Sequence, residues 1–205
     1  MDDDLQQGSI YLIEDDISLQ ESIADILEFK KYHVKSFANA NDFLKSLDIN
    51  IAPAIVVSDM RMPGLDGIEL QRLLIEDYRP IPIVFISGES TVSQSITAMK
   101  KGAVDFLLKP FEVDELINAI DRGLEIDRNN MQKTIKKNEL EDNLQKLSPR
   151  EREVFNLLCK GFSNSEITQE LQISLPTAKQ YKSEVMRKLN AKSIAELIRL
   201  KVGVM

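Results

Sequence analysis

The chain has 205 residues, 43% hydrophobic and 29% charged, with a net charge of −7, which is the make-up of a globular protein able to bury one large core or two small ones. Its single cysteine, Cys159, and single histidine, His33, exclude an intramolecular disulfide and a Cys/His metal cluster. No apolar run approaches the ~18 residues of a membrane span, and the acidic start "MDDDLQQG" lacks a signal-peptide pattern, so the cytoplasm is the expected location, with no membrane partner.

Between residues 9 and 108, short apolar runs alternate with helical patterns. "IYLI" (10–13), "HVKSF" (33–37), "AIVV" (54–57), "IVFI" (83–86) and "VDFLL" (104–108) predict five strands, with His33 at a strand edge or in a loop. The stretches "LQESIADILEFKK", "ANDFLKSL", "GIELQRLLIEDY" and "TVSQSITAMKK" carry apolar residues at helical spacing, and Gly102 stands where the fourth of these helices should be capped. Alternation of this kind predicts a doubly wound α/β unit with a five-stranded parallel sheet.

From Glu112 to Leu147 there is no proline and one glycine, Gly123, so a long helix is expected, with Gly123 a candidate bend. Ile117, Ile120, Leu124 and Met131 lie near heptad spacing, and Leu140, Leu144 and Leu147 resume an apolar stripe. Asp127, Thr134 and Asn138 interrupt that seam. A charged flexible tether remains the alternative. Beyond it, "SPRE" (148–151), "SNSE" (163–166) and "SIAE" (193–196) are capping-box patterns, and Ser174 precedes Pro176 as a cap would. Four short helices should therefore start near 149, 164, 175 and 194.

The acidic residues fall at strand ends. Glu14 and Asp15 end the first strand, Asp59 the third, Ser87 the fourth and Lys109 the fifth. Ligands of open parallel sheets bind beyond those carboxyl ends, so the five side chains converge if strands one and three are neighbours. Packed carboxylates repel unless a cation lies among them, and oxygen-only donors suit Mg²⁺. A hydroxyl and an ammonium opposite suit phosphoryl oxygens. The pocket reads as a Mg²⁺ site with an aspartate that accepts phosphate covalently. Singly, each residue has a plainer reading as a turn or surface residue.

These residues carry a family likeness. Through "LIEDD", "VVSDMRMPGLDGIEL", "PIVFISGES" and "GAVDFLLKPF", the segment 9–122 resembles the receiver domain of two-component response regulators. The resemblance implies that a sensor histidine kinase phosphorylates Asp59. It implies that Glu14, Asp15, Asp59 and the backbone carbonyl of Arg61 hold Mg²⁺, that Ser87 and Phe106 are the switch residues, and that Lys109 senses the phosphoryl group. It also implies a cis Lys109-Pro110 peptide. Arg61 and Glu89, two residues beyond Asp59 and Ser87, can reach over the pocket mouth and are candidates for setting the phosphoryl lifetime. A phosphatase of the haloacid-dehalogenase type is the enzyme alternative, but the second acid it needs is here Arg61. A DNA binder that keeps only the receiver fold is a further alternative, and the complete set of five residues weighs against it.

The tail is basic where the body is acidic: residues 148–205 hold 10 Lys/Arg against 6 Asp/Glu, residues 1–125 hold 11 against 23. A polyanion partner fits that asymmetry, although a solvated charged face has the same composition. Two short helices joined through Gln172 and Ile173 fit a helix-turn-helix. On the second, Ala178, Tyr181, Val185 and Leu189 are spaced to face a core, which leaves Lys179, Gln180, Lys182, Ser183 and Arg187 outward. Periodicity alone leaves a plain four-helix domain open. "LSPREREVFNLL", "KGFSNSEITQELQIS", "PTAKQYKSEVMRKL" and "AKSIAELIRL", however, make residues 147–205 resemble the LuxR-type DNA-binding domain, in its FixJ branch. The resemblance implies base contacts by Lys179, Gln180 and Ser183, phosphate contacts by Lys182, Arg187 and Lys188, and residues 123–146 as a helical linker. It implies a regulator that dimerises on phosphorylation, binds promoter DNA and meets RNA polymerase there. Ala178 and Tyr181 depart from the Val and His usual at those positions.

Overall fold

The computed structural model describes residues 8–88 and 92–204, which fall into two compact units divided between Met131 and Gln132. In the first, strands β1 (Ser9–Ile13), β2 (His33–Phe37), β3 (Ala54–Asp59), β4 (Ile83–Ser87) and β5 (Asp105–Leu108) form one parallel sheet in the order β2-β1-β3-β4-β5. Helices α1 (Ile17–Phe29), α2 (Ala40–Ser46), α3 (Gly67–Glu76), α4 (Val92–Lys100) and α5 (Val113–Gln145) connect or follow them. His33 opens the edge strand β2 and is exposed.

Alternation along the strands decides which helix covers which face. Tyr11, Ile13, Val56 and Phe85 point to one side and pack with Phe43 of α2, Leu70 and Leu74 of α3 and Ala98 of α4. Ile10, Leu12, Ile55, Val57, Val84 and Ile86 point to the other and pack with Ile23 and Leu27 of α1 and Leu116, Ile120 and Leu124 of α5. All six residues of β3 are buried, so the strand reads as a continuous apolar run until Ser58 and Asp59. Those two polar residues follow the run "AIVV" and are the last two positions of β3, which ends on Asp59 as expected. Gly102 takes φ +90° just beyond α4, as expected of its cap position. Lys109-Pro110 is cis, and so is Ala52-Pro53.

Helix α5 is continuous from Val113 to Gln145. Gly123 serves close packing: a Cβ there would lie 2.1 Å from Ile55 Cδ1, so a side chain at this position would force Ile55 to move. Ile120, Leu124 and Asp127, expected along a heptad seam or interrupting it, are buried against the first unit's own sheet. Asp127 is 1% exposed; its Oδ2 accepts the Ala54 N–H at 2.8 Å, and both its oxygens accept from Arg79, at 2.9 and 2.8 Å.

The second unit contains the end of α5, then α6 (Pro149–Cys159), α7 (Asn164–Leu171), α8 (Leu175–Lys188) and α9 (Ile194–Val204). Ser148 and Ser163 each form a reciprocal capping box with the glutamate three residues on, and Ser174 caps α8 through the Thr177 N–H. At the fourth helix the box is shifted, because Glu196 accepts from the Lys192 N–H while its own N–H donates to Ser193 Oγ. Val154, Phe155, Leu158, Ile167, Ala178, Val185, Leu189 and Leu197 make the core, and Leu140, Leu144 and Leu147 join it. The segment 123–146, expected as a linker, thus divides its apolar residues between the two units.

Candidate functional site

Strands β1 and β3 are direct neighbours, with Ile13 opposite Ser58, so the residues that end them share one edge. Glu14 and Asp15 follow β1, Asp59 ends β3, Ser87 ends β4 and Lys109 follows β5, and all five line one pocket with Arg61 at its rim. The Lys109 N–H donates to the Ser87 carbonyl at 2.8 Å, which extends the β4–β5 pairing to the point where both side chains are delivered. Gly64, at φ +85°, turns the chain after Met62-Pro63, and Gly67 brings α3 back against the strand. A Cβ on Gly67 would lie 2.7 Å from Phe85 Cε1 and 3.2 Å from the Asp59 carbonyl oxygen.

The Lys109 ammonium lies 2.7 Å from Glu14 Oε2 and 2.9 Å from Asp59 Oδ2. The other Asp59 oxygen accepts the Arg61 N–H at 3.0 Å. Glu14 is 1% exposed and Asp59 8%, so both charges are held away from bulk water. Burial pushes the Glu14 carboxyl above its ordinary 4.5, with the Asp59 charge acting in the same sense and the Lys109 hydrogen bond opposing. Burial pulls the Lys109 ammonium down, but its hydrogen bonds to Glu14 and Asp59 outweigh that and its pKa is raised. Both partners of one ion pair therefore move upward, because for the carboxyl burial is the larger influence and for the ammonium the two carboxylates are.

Glu14, Asp15 and Asp59 offer oxygens that all lie within 4.8 Å of one another. A set of hard oxygen donors carrying excess negative charge fits Mg²⁺, with Asp15, the exposed member, at the solvent side. Asp16 lines the same rim but is engaged as the N-cap of α1, accepting from the Ser18 and Leu19 N–H groups. Gln20 was not singled out from the sequence. It is buried, and its Nε2 donates to the carbonyls of Glu14 and Phe37, both at 2.8 Å, which fixes the backbone that presents Glu14. Its place on the Gln20–Ile23–Leu27 stripe of α1 was the available signal. Ser87 is 1% exposed. Phe106 is partly buried beside Phe85, ring centroids 6.4 Å apart. Glu89 lies outside the described residues.

Linkage gives this pocket a pH signature. A carboxyl held above 4.5 in the folded state favours folding below that value, and the contribution is lost as pH rises through the raised pKa. Glu14→Gln keeps an acceptor for Lys109 and removes the buried charge. The expected result is a higher melting temperature than wild type at pH 7 without Mg²⁺, and a smaller gain when Mg²⁺ is added. Thermal melts with and without the ion check it, and an unchanged Mg²⁺ gain would remove Glu14 from the metal set.

In the second unit, α7 and α8 are joined through Gln172, whose φ of +52° makes the tight turn of a helix-turn-helix. Ala178, Val185 and Leu189 are buried and Tyr181 is half-buried on the core side of α8, as their spacing predicts. Lys179, Gln180, Ser183 and Arg187 are exposed, and Lys182 is half-buried. Arg187 donates twice to Glu184 on the same helix. Lys188, expected at DNA phosphates, turns instead to Glu151 and the Lys146 carbonyl.

Comparison with known proteins agrees with both halves. The response regulator receiver domain family matches residues 10–121, and the bacterial regulatory proteins of the luxR family match residues 145–201. The transcriptional regulatory protein FixJ of Bradyrhizobium diazoefficiens is 39% identical over 194 residues, 95% of this chain and 94% of that protein. The response regulator StyR superposes with a TM-score of 0.84 at 35% identity, over 96% of this chain and 98% of that one. Full-length FixJ from B. japonicum superposes with a TM-score of 0.57 at 38% identity, over 97% of each.

Proposed function

The chain belongs to the response regulators, here a transcription regulator that carries a receiver domain and a LuxR-type DNA-binding domain, and we propose that Asp59 is the residue on which its receiver is phosphorylated. The observation that carries this reading is the meeting of three carboxylates and one ammonium from the ends of three strands, with Lys109 already bridging Glu14 and Asp59. The donor is a phosphohistidine of a sensor kinase, or a small acyl phosphate. An Asp59 carboxylate oxygen bonds to phosphorus as the bond from phosphorus to the histidine nitrogen breaks, and water later hydrolyses the acyl phosphate.

Glu14, Asp15, Asp59 and the Arg61 carbonyl would hold Mg²⁺, which would supply neutralisation of charge on the transferring group. Lys109 exchanges its Asp59 oxygen for a phosphoryl oxygen, and the Ser87 hydroxyl donates to another. That draws the Ser87 end of β4 towards the phosphoryl group and frees Phe106 to turn inward. Ile96 and Met99 of α4 and Leu108 of β5 are exposed apolar residues on the face that then pairs with a second receiver. In the dimer, two copies of α8 meet paired half-sites of promoter DNA in the cytoplasm, where RNA polymerase is engaged. Lys179, Gln180 and Ser183 read base edges, while Lys182 and Arg187 approach phosphates.

The test is chemical. The chain is treated with acetyl phosphate and Mg²⁺, then with borohydride, which reduces an aspartyl phosphate to homoserine. Homoserine is expected at position 59. Its appearance at Asp15 or Asp16, with none at 59, would move the acceptor.

A further inference from the structure

Lys188 is the last residue of α8, and its ammonium does not face outward. The Nζ donates to Glu151 Oε2 at 2.7 Å and to the Lys146 carbonyl at 3.2 Å. The Glu151 side chain is 8% exposed, and the same Oε2 accepts the Ser148 N–H at 2.7 Å. One carboxylate oxygen thus closes the capping box that starts α6 and holds the end of α8. The Lys188 hydrogen bond, and after it the Ser148 N–H, keep this carboxyl below the usual glutamate range.

Val154, Phe155 and Leu158 of α6 and Ala178 and Val185 of α8 are buried in one apolar core. Apolar packing is non-directional and tolerates small rotations of a helix, whereas a charge-assisted hydrogen bond fixes one atom to another. The pin lies at the far end of α8 from its base-reading residues. From Lys188 to Lys179 the helix rises about 14 Å, so a tilt of about 10° at the pin displaces Lys179 by ~2 Å, more than a base-edge hydrogen bond tolerates.

We infer that Lys188 is a positioning residue for DNA recognition: by tying α8 to Glu151 and the Lys146 carbonyl it sets the angle at which Lys179, Gln180 and Ser183 meet the bases. The inference rests on α8 being the reading helix. It assigns Glu151, a buried residue at the start of a different helix, to sequence discrimination.

The experiment uses the full chain treated with acetyl phosphate, a duplex selected by the wild type from random sequence, and an unselected duplex, each over a salt series. Lys188→Met and Glu151→Gln should each weaken binding to the selected duplex about tenfold or more. Binding to the unselected duplex should fall less than threefold, the salt slope should hold, and the double variant should be no worse than the worse single one. Glutamine closes a capping box as glutamate does, so Glu151→Gln removes the charge without removing the cap. Lys188→Arg, which keeps the charge and donors, should restore selected binding. A phosphate contact by Lys188 would instead lower the salt slope by about one in Lys188→Met and leave Glu151→Gln at wild-type affinity. That pattern overturns the inference. Lys179→Ala is the control for the reading beneath it: no loss of discrimination there would dismiss α8 as the reading helix, independently of the pin.

Discussion

Asp59→Asn takes up no label from acetyl phosphate and melts no earlier than the wild type. The first half follows from chemistry, because an amide oxygen carries no negative charge and does not displace a phosphoryl group from a good acyl donor. Asparagine preserves the shape and still accepts the Arg61 N–H, so loss of labelling cannot come from a displaced turn. The second half follows from the electrostatics of the pocket. Unit charges about 4 Å apart interact by roughly 4 kcal/mol at an effective dielectric constant near 20. Replacing Asp59 removes its attraction to Lys109, but also its repulsion of Glu14 and Asp15, and these terms are of similar size and opposite sign. Lys109 keeps Glu14 as partner. With the Asp59 charge gone, the Glu14 carboxyl moves back towards its ordinary value, because that charge is one of the influences raising it. Labelling with radioactive acetyl phosphate and a thermal melt check both halves. Label retained at the wild-type rate would place the acceptor elsewhere.

Much of this site was legible because its residues break a pattern. Four of the five apolar runs lead into polar side chains, and in a parallel sheet those ends share an edge, so Glu14, Asp15, Asp59, Ser87 and Lys109 could be brought together before any distance was known. The strand order was the one missing condition, and the β1–β3 pairing supplies it. The residues that hold the pocket in place were harder to find. Gln20 acts through the carbonyl of Glu14, just after β1, and that of Phe37, the last residue of β2, and nothing local to "SLQES" names those partners. On α5 the spacing of Ile120 and Leu124 was legible, while the surface that covers them was not. Ile120 and Leu124 recur as a coiled-coil seam would, but a period does not say whether the covering surface is another helix or the chain's own sheet. Gly123 is glycine because Ile55 approaches it, a contact across 68 positions of sequence. Lys188 was expected at a DNA phosphate by family likeness, and nothing in its local spacing names its partners, Glu151 and the Lys146 carbonyl.

Asp127→Ala is expected to be the most destabilising single change in the first unit, by about 3–5 kcal/mol, the range for removing one partner of a buried ion pair. Asp127 had seemed from its spacing to weaken a seam, yet its side chain is 1% exposed and joins three segments. It accepts the N–H of Ala54, the first residue of β3, and pairs with Arg79 from the loop before β4, which also donates to the Ile51 carbonyl. Alanine would leave Arg79, whose side chain is 14% exposed, with its charge uncompensated, and would leave the Ala54 N–H without its acceptor. Asp127→Asn keeps an oxygen for that N–H and loses only the charge, so it should cost less. Arg79→Ala combined with Asp127→Ala should cost less than the two singles added together, since each single strands the other's charge. The unfolding transition of the first unit and hydrogen exchange of the Ala54 amide measure these effects, and exchange there should accelerate most in Asp127→Ala. Phosphorylation is a separate readout. Ala54 and Asp59 lie at opposite ends of β3, about 17 Å apart at the rise of a strand, so the folded variant should still accept label at Asp59. A variant that unfolds at the wild-type midpoint would reduce the clamp to an incidental contact. One that stays folded but no longer takes up label would mean that the seating of α5 on β3 controls the pocket at the strand's far end.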